Sequence, residues 1–185
     1  MKNLYPLSNK AFNELIDIRF NNINEGFNNF NNGILECTDN TLSFEEKENR
    51  FLNFFKDALN LNSNYLIIDF YLKDLNGKEL LNLLDSLEYD NKILLLEELK
   101  NLKDKSTYFS LTNYKLIELI TILNTRALFF CTVYFKNIPF TIWGNYNLNF
   151  PVFFNDIKHL DIYINLATKH GLTITSINIK KEDSN

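Results

Sequence analysis

Residues 128–154, LFFCTVYFKNIPFTIWGNYNLNFPVFF, decide the fold that this sequence predicts. They hold the only tryptophan, two of the three prolines and the densest run of aromatic residues. Turn signals at residues 136–139 and 144–147 divide the stretch, because Gly, Pro and Asn suit the backbone conformations of turns. The stretch therefore predicts three short strands in a meander at the hydrophobic centre of the fold.

The composition is that of a globular chain. Its 185 residues are 45% hydrophobic and 23% charged, which fits one domain over residues 1–185 with a polar tail at 180–185. The chain holds 30 asparagines but only 5 glycines. AT-rich codons produce this bias, so we interpret it as a sign of a low-GC bacterium or of its phages and plasmids.

Helical and extended patterns alternate before the meander. Ser8 can cap a helix whose apolar residues recur every three or four positions as far as Ile23. The asparagine-rich residues 21–32 predict a loop pinned by two phenylalanines, because asparagine competes for its own backbone. Short strands are predicted at 34–37, 65–72 and 107–111. Helices are predicted at 43–59, 78–87, 93–102 and 113–123. One long helix is the alternative to the pair at 78–87 and 93–102.

After the meander, one more helix begins at Asn155 or Asp156 and stops at Gly171, and a strand at 172–179 closes the fold. Strands alternate with helices at first and then follow one another directly. This order predicts an α+β fold: a mixed, mostly antiparallel sheet of five or six strands flanked by helices.

The net charge of −4 is unevenly distributed. Residues 69–104 carry nine acidic and five basic residues, whereas 105–185 carry five acidic and eight basic residues. No cluster of Lys and Arg is dense enough for a phosphate-tracking groove, so direct nucleic-acid binding is disfavoured. The acidic middle suits a basic partner protein, and its candidate binding residues are Asp85, Glu88, Asp90, Glu97 and Glu98.

The loop that follows the second meander strand is a second candidate binding surface. Trp143, Tyr146 and Phe150 lie within nine residues of one another, a composition typical of protein-binding hot spots. The same side chains can instead fold back onto the sheet. We expect Phe150 in the core and Tyr146 at the surface, and leave Trp143 open to either role.

Asp69 supports an alternative hypothesis. It lies inside the apolar run 65–72, where a charge is costly unless it is paired or faces a cleft. A catalytic carboxylate has this pattern, but so does an acid beside Tyr65 and Tyr71 on an open sheet face. The enzyme hypothesis requires a concave pocket with another titratable group next to Asp69.

Other chemistry finds little support in the sequence. Asp156, His159 and Asp161 lie close together, but they match the usual acids of a first helical turn, so we predict neither a metal nor a cofactor. Cys37 and Cys131 form no framework, and no nucleophile or phosphate-binding motif is present. No segment predicts a leader or a membrane span, so we expect a cytoplasmic protein.

The leading hypothesis is therefore a small protein that binds another protein, such as an inhibitor, an immunity protein or a phage counter-defence factor. The alternatives are a small enzyme centred on Asp69, and a nucleic-acid binder in which Tyr134, Trp143 and Tyr146 stack on bases.

Overall fold

The computed structural model describes residues 4–102 and 106–180, in which the chain forms one sheet of eight strands and seven α-helices. The strands are β1 (Leu4–Leu7), β2 (Asn31–Glu36), β3 (Leu66–Asp69), β4 (Tyr108–Leu111), β5 (Val133–Phe135), β6 (Phe140–Ile142), β7 (Phe150–Phe154) and β8 (Thr173–Asn178). The helices are α1 (Asn9–Leu15), α2 (Ile23–Asn29), α3 (Phe44–Leu61), α4 (Gly77–Asp85), α5 (Tyr89–Asn101), α6 (Tyr114–Thr125) and α7 (Ile157–Lys169). The predicted α+β class is confirmed, and of the predicted tail only Lys180 lies among the described residues.

The strand order is β1-β4-β3-β5-β6-β7-β2-β8, and each of these neighbouring pairs is antiparallel. The described sheet therefore has more strands than the predicted five or six, and it is antiparallel rather than mixed. β5, β6 and β7 are consecutive neighbours, which confirms the predicted meander. Its first strand begins only at Val133, so residues 128–132 precede the sheet.

Helices cover parts of both sheet faces, which explains the apolar run at 65–72. Ile68 contributes to the large core, which includes side chains of α3, α6 and α7. Ile67 points the other way, into a smaller cluster with Phe12 of α1 and Tyr134 of β5. All four residues of β3 are buried, as expected for a strand with both faces covered.

The first part of the chain departs from the prediction. The first helix ends early, at Leu15, and residues 21–32 are not a loop. Asn22 Oδ1 accepts the Glu25 N–H (3.1 Å) and starts α2, after which β2 begins. Asparagine acts here as a helix cap, the other role that its side chain favours. β1 was not predicted because it is short and contains Pro6, which an edge strand tolerates.

Most of the later helix boundaries follow the predicted signals, and the start of α5 is the exception. Ser43 and Glu46 form the predicted capping box at the start of α3, in which Glu46 Oε2 accepts the Ser43 N–H (2.7 Å). As predicted, α4 and α5 are two helices rather than one, but the break between them lies at residues 86–88, so α5 begins at Tyr89, four residues earlier than predicted. Asp156 caps α7. Gly171 follows the end of α7 with a φ of +69°, the left-handed conformation that suits glycine. None of the helices in the described ranges combines the length and apolar content needed to cross a membrane.

Candidate functional site

Helix α5 carries apolar side chains outward and an acidic side chain inward. Tyr89, Ile93 and Leu96 are 74%, 40% and 43% exposed. Their spacing of four and three residues places them along one stripe of the helix. Glu98 lies on the other side, is 1% exposed and accepts the Leu4 N–H of β1 (3.3 Å). Leu95 on the inward side is buried in the core and Leu99 packs against it, so α5 buries one apolar stripe as usual and leaves a second one exposed.

The sequence contains a signal for this stripe that our prediction did not use. Residues 93–96 are four consecutive apolar residues, ILLL. Successive residues are about 100° apart around an α-helix, so four in a row cannot all face one core. Leu95 is buried, while Ile93 and Leu96 remain exposed.

Four of the five predicted acidic binding residues are exposed. Asp85 ends α4, Glu88 precedes α5, and Asp90 and Glu97 lie along one side of the apolar stripe. Glu98 does not belong to this surface, because the turn of the helix places its carboxylate against β1. The acidic surface therefore consists of Asp85, Glu88, Asp90 and Glu97 together with exposed apolar side chains.

A groove separates α5 from α6. Glu118 on its α6 wall forms an ion pair with Lys56 of α3. The lining contains three carboxylates and one ammonium group, so we expect a negative electrostatic potential in the groove. The lining consists of Tyr89, Asp90, Asn91, Ile93, Leu94, Glu97, Asn113, Lys115 and Glu118.

The aromatic loop is the segment 143–149 between β6 and β7. Its first residue, Trp143, is half-buried rather than a free anchor. Its ring stacks on Phe20, with ring centroids 5.5 Å apart and planes inclined by 25°. Its backbone N–H donates to the Pro151 carbonyl (2.9 Å), which extends the pairing of β6 and β7. Phe20 also packs edge-on against Phe153. Trp143 is therefore one of the side chains that cover the sheet face opposite the large core.

Tyr146 projects from the same loop and is 62% exposed. One edge of the ring contacts Phe130, with centroids 4.6 Å apart. The turn is closed by Asn147 and Leu148, both in the left-handed region, and Phe150 is buried as expected. Tyr146 thus combines a fixed position with a large free surface, which suits a recognition side chain.

A second depression opens beside Tyr146, between the loop and the start of α3. Its cations are Lys47 and Arg126, and the Arg126 guanidinium pairs with Glu48 (2.7 Å). The aromatic loop is therefore set in surroundings more basic than those of the α5–α6 groove. The lining consists of Phe44, Lys47, Thr125, Arg126, Ala127, Tyr146, Asn147 and Leu148.

Helix α6 connects the two depressions. Lys115 and Glu118 line the α5–α6 groove, whereas Arg126, just after the helix, lines the depression at Tyr146. Lys115, Glu118, Ile122 and Arg126 are spaced three or four residues apart, so they form one strip of incompletely buried residues along the helix. The 12 residues of α6 span about 18 Å at 1.5 Å per residue. The two depressions thus flank the ends of one helix strip.

Asp69 is a buried carboxyl group at the end of β3. Its side chain is 7% exposed, and Oδ1 accepts the Thr132 N–H (2.5 Å) just before β5 begins. Burial raises the pKa of Asp69 from 3.8 to about 6, although hydrogen bonds from Thr132 and Tyr134 oppose the shift. The carboxyl group therefore titrates close to neutral pH.

Three tyrosines, Tyr71, Tyr108 and Tyr134, lie close enough to Asp69 for its charge to affect them. Burial raises the pKa of Tyr71 to about 12, and the nearby charge of Asp69 is the second cause of this increase. The same two causes raise the pKa values of Tyr108 and Tyr134. All three phenols stay protonated at neutral pH and can donate hydrogen bonds. The titratable neighbours that the enzyme hypothesis requires are present, but neither of the two depressions described above is lined by Asp69. Tyr134 is buried, so it does not present a face on which a base could stack.

Two other groups that the sequence singled out, Asp156 and Cys131, occupy structural positions. Among the described residues, no group of three or more His, Cys, Asp and Glu side chains could hold a metal ion. Asp156 acts as a helix cap, since its Oδ1 accepts the Lys158 N–H (2.8 Å). Cys131 is buried outside β5, and burial raises the pKa of its thiol well above its ordinary value, which disfavours a nucleophilic role.

No protein-family model, curated protein or solved structure matches this chain.

Proposed function

We propose that this chain acts by binding another protein in the cytoplasm, as small inhibitors, immunity proteins and phage counter-defence factors do. The observation that carries the proposal is the exposed apolar stripe of α5, Tyr89, Ile93 and Leu96, beside the acidic residues Asp90 and Glu97. Large apolar side chains that a fold leaves exposed in a row, with a polar border, are typical of protein-binding surfaces.

The two depressions can serve a single partner. They flank the ends of α6, about 18 Å apart. A standard interface buries about 800 Å² on each partner, which corresponds to a patch about 30 Å across. One interface of ordinary size is therefore large enough to cover both the stripe of α5 and Tyr146.

The acidic residues have a distinct role in this proposal. Asp85, Glu88, Asp90 and Glu97 are exposed, so their charges act through solvent over about 8 Å at physiological salt. Charges of this kind raise the rate of association with a basic partner more than they strengthen the final complex. The apolar stripe and Tyr146 would supply most of the binding free energy.

The experiment is affinity capture from a lysate of the native host, with four baits read by quantitative mass spectrometry. The baits are the wild type, Tyr89→Ala, Tyr146→Ala and Ile162→Ser. Ile162 is an exposed isoleucine on α7 that belongs to neither depression, so its variant is the matched control. We expect one protein that the wild type and the control retain and that both tyrosine variants lose.

Two results would contradict the proposal. One is the absence of any protein retained by the wild type above an unrelated acidic bait of similar size. The other is a set of retained proteins that all four baits hold equally, since such binding would not use these surfaces. Circular dichroism melts of the four baits would show whether each variant remains folded.

A second candidate function is an enzyme centred on Asp69, and the observation that favours it is the carboxyl group with a pKa near 6 among three phenols. Groups with displaced pKa values suit proton transfer at neutral pH. The test is carbodiimide coupling of a small amine to the folded protein. An enzyme site predicts labelling at Asp69, whereas labelling of the exposed Asp85 alone would exclude reagent access to Asp69.

A further inference from the structure

We infer that the groove between α5 and α6 binds an amphipathic helix that carries Lys or Arg beside large apolar side chains. This inference rests on the proposed function and specifies the chemistry of its partner. It depends on three features of the groove: the apolar stripe, the row of carboxylates beside it, and the two helices that form its walls.

The apolar stripe has the dimensions of a helix-binding surface. From Tyr89 to Leu96 it extends over two turns of α5, about 10 Å. Tyr89 and Ile93 also line the groove, together with Leu94. A partner helix that presents apolar residues at matching three- and four-residue spacing can lay them along this length, as helices do in hydrophobic grooves.

The charges of the groove select the sign of the partner. Within the described part of the chain, Asp90 and Glu97 take part in no ion pair, whereas Glu118 is already paired with Lys56. Asp90 and Glu97 are seven residues apart, so they lie in line on the same side of the stripe. A helix with Lys or Arg two turns apart would pair with both carboxylates as its apolar residues cover the stripe.

The same charges disfavour other occupants. An acidic helix would place its carboxylates against Asp90, Glu97 and Glu118, with only Lys115 on the groove lining to offset them. A nucleic acid would meet the same repulsion along its phosphates. A purely apolar segment would cover the stripe but leave no contact that depends on Asp90 or Glu97.

The probe is a synthetic, amidated peptide of about 18 residues with Leu on one helical face and Lys along its borders. A second peptide keeps the Leu positions and replaces every Lys by Glu. Binding to the full chain is followed by amide chemical-shift changes in NMR, at low salt and at about 0.5 M salt. We expect the Lys peptide to shift amides of residues 89–97 and 113–118, with weaker binding at high salt, and the Glu peptide to shift neither set.

Two variants separate the apolar from the charged contribution. Tyr89→Ala removes the most exposed side chain of the apolar stripe, and we expect it to weaken Lys-peptide binding about tenfold at either salt concentration. Asp90→Asn with Glu97→Gln should weaken binding at low salt and leave little change at high salt. Ile162→Ser should bind as the wild type does. Shifts centred elsewhere, or equal affinity in all variants, would overturn the inference.

Failure of this inference is distinguishable from failure of the proposed function. A partner that Tyr146→Ala loses but that Tyr89→Ala and the charge variant retain would preserve a protein-binding function and exclude this groove. A partner that competes with the Lys peptide for the wild-type chain would support both. Peptide binding that maps to the groove, with no host protein retained, would support the chemistry of the groove and contradict the proposed function.

Discussion

At the scale of single residues, Asp69 is the group whose burial has the clearest energetic consequence. Its pKa is raised from 3.8 to about 6 by burial, so the folded state binds its proton more tightly than the unfolded state does. The stabilisation from this group is fully present below pH 3.8 and is lost as the pH rises through 6. The difference between the folded and unfolded pKa values lowers the free energy of unfolding at neutral pH by about 3 kcal/mol relative to acidic pH.

We therefore predict that Asp69→Asn raises the free energy of unfolding at pH 7.5 by up to about 3 kcal/mol, because Asn is neutral and its Oδ1 can still accept the Thr132 N–H. Near pH 3.5 the two proteins should be about equally stable. Urea unfolding across this pH range measures the difference. A less stable variant at pH 7.5 would mean that the charged carboxylate is worth more to the fold through its bond to Thr132 than its burial costs.

Gly144 is a second residue with a sharp local requirement. A Cβ at this position would overlap Asn124 Oδ1 and lie 2.9 Å from the Cys131 carbonyl oxygen. Asn124 cannot move freely, because its Oδ1 accepts the Cys131 N–H (2.9 Å) and its Nδ2 donates to the Cys131 carbonyl (3.1 Å). We predict that Gly144→Ala lowers the free energy of unfolding by about 2 kcal/mol or more.

Gly77→Ala is the matched control for that change. A Cβ at Gly77 meets nothing within 4 Å, and this residue is the first of α4, where alanine suits the helix better than glycine. The control should leave the stability unchanged or raise it slightly. Equal effects of the two substitutions in urea unfolding would show that the contacts of Gly144 do not limit stability.

At the scale of elements, Asn62 joins three parts of the fold. At the end of α3, its Nδ2 donates to the Ala58 carbonyl and to the Tyr163 hydroxyl of α7 (2.9 Å each). Its Oδ1 accepts the Ile138 N–H in the turn between β5 and β6 (3.0 Å). The end of one helix thus fixes the turn of the meander and a second helix.

We predict that Asn62→Ala lowers the free energy of unfolding by about 2–4 kcal/mol, because the partly buried Ile138 N–H loses its acceptor and the buried Tyr163 hydroxyl keeps only its bond to the Ile138 carbonyl. Asn53→Ala is the control, since Asn53 is exposed on the same helix and should change stability by less than about 0.5 kcal/mol. Urea unfolding of both measures the effect, and a small loss in both would indicate that water replaces the Asn62 contacts.

The elements also show how far the sequence could predict this fold. The capping box at Ser43, the meander and the turn after α7 depend on neighbouring residues, and they were predicted correctly. β1 and the burial of Glu98 could not be predicted, because both depend on contacts about a hundred residues apart: β1 pairs with β4, and Glu98 accepts the Leu4 N–H. The candidate acidic residues could be named from charge alone. The apolar run at 93–96 indicates that part of α5 is exposed, but which residues form the exposed stripe depends on the orientation of the helix.

At the scale of the whole molecule, the question is whether one partner spans both depressions. Tyr89 and Tyr146 line depressions near opposite ends of α6, and no residue lines both depressions. Substitutions at sites this far apart change a binding free energy independently, so their effects add to within about 0.5 kcal/mol. Additivity on one partner is therefore a direct test of the single interface.

For a partner identified by capture, we predict that Tyr89→Ala and Tyr146→Ala each weaken binding by about 1–2 kcal/mol and that the double variant loses the sum. Isothermal titration calorimetry of the wild type, both single variants and the double variant measures the cycle, with Ile162→Ser as the unchanged control. If Tyr146→Ala binds as the wild type does while Tyr89→Ala does not, the partner covers only the α5–α6 groove. The converse result would confine the partner to the aromatic loop, and either outcome would exclude a single interface along α6.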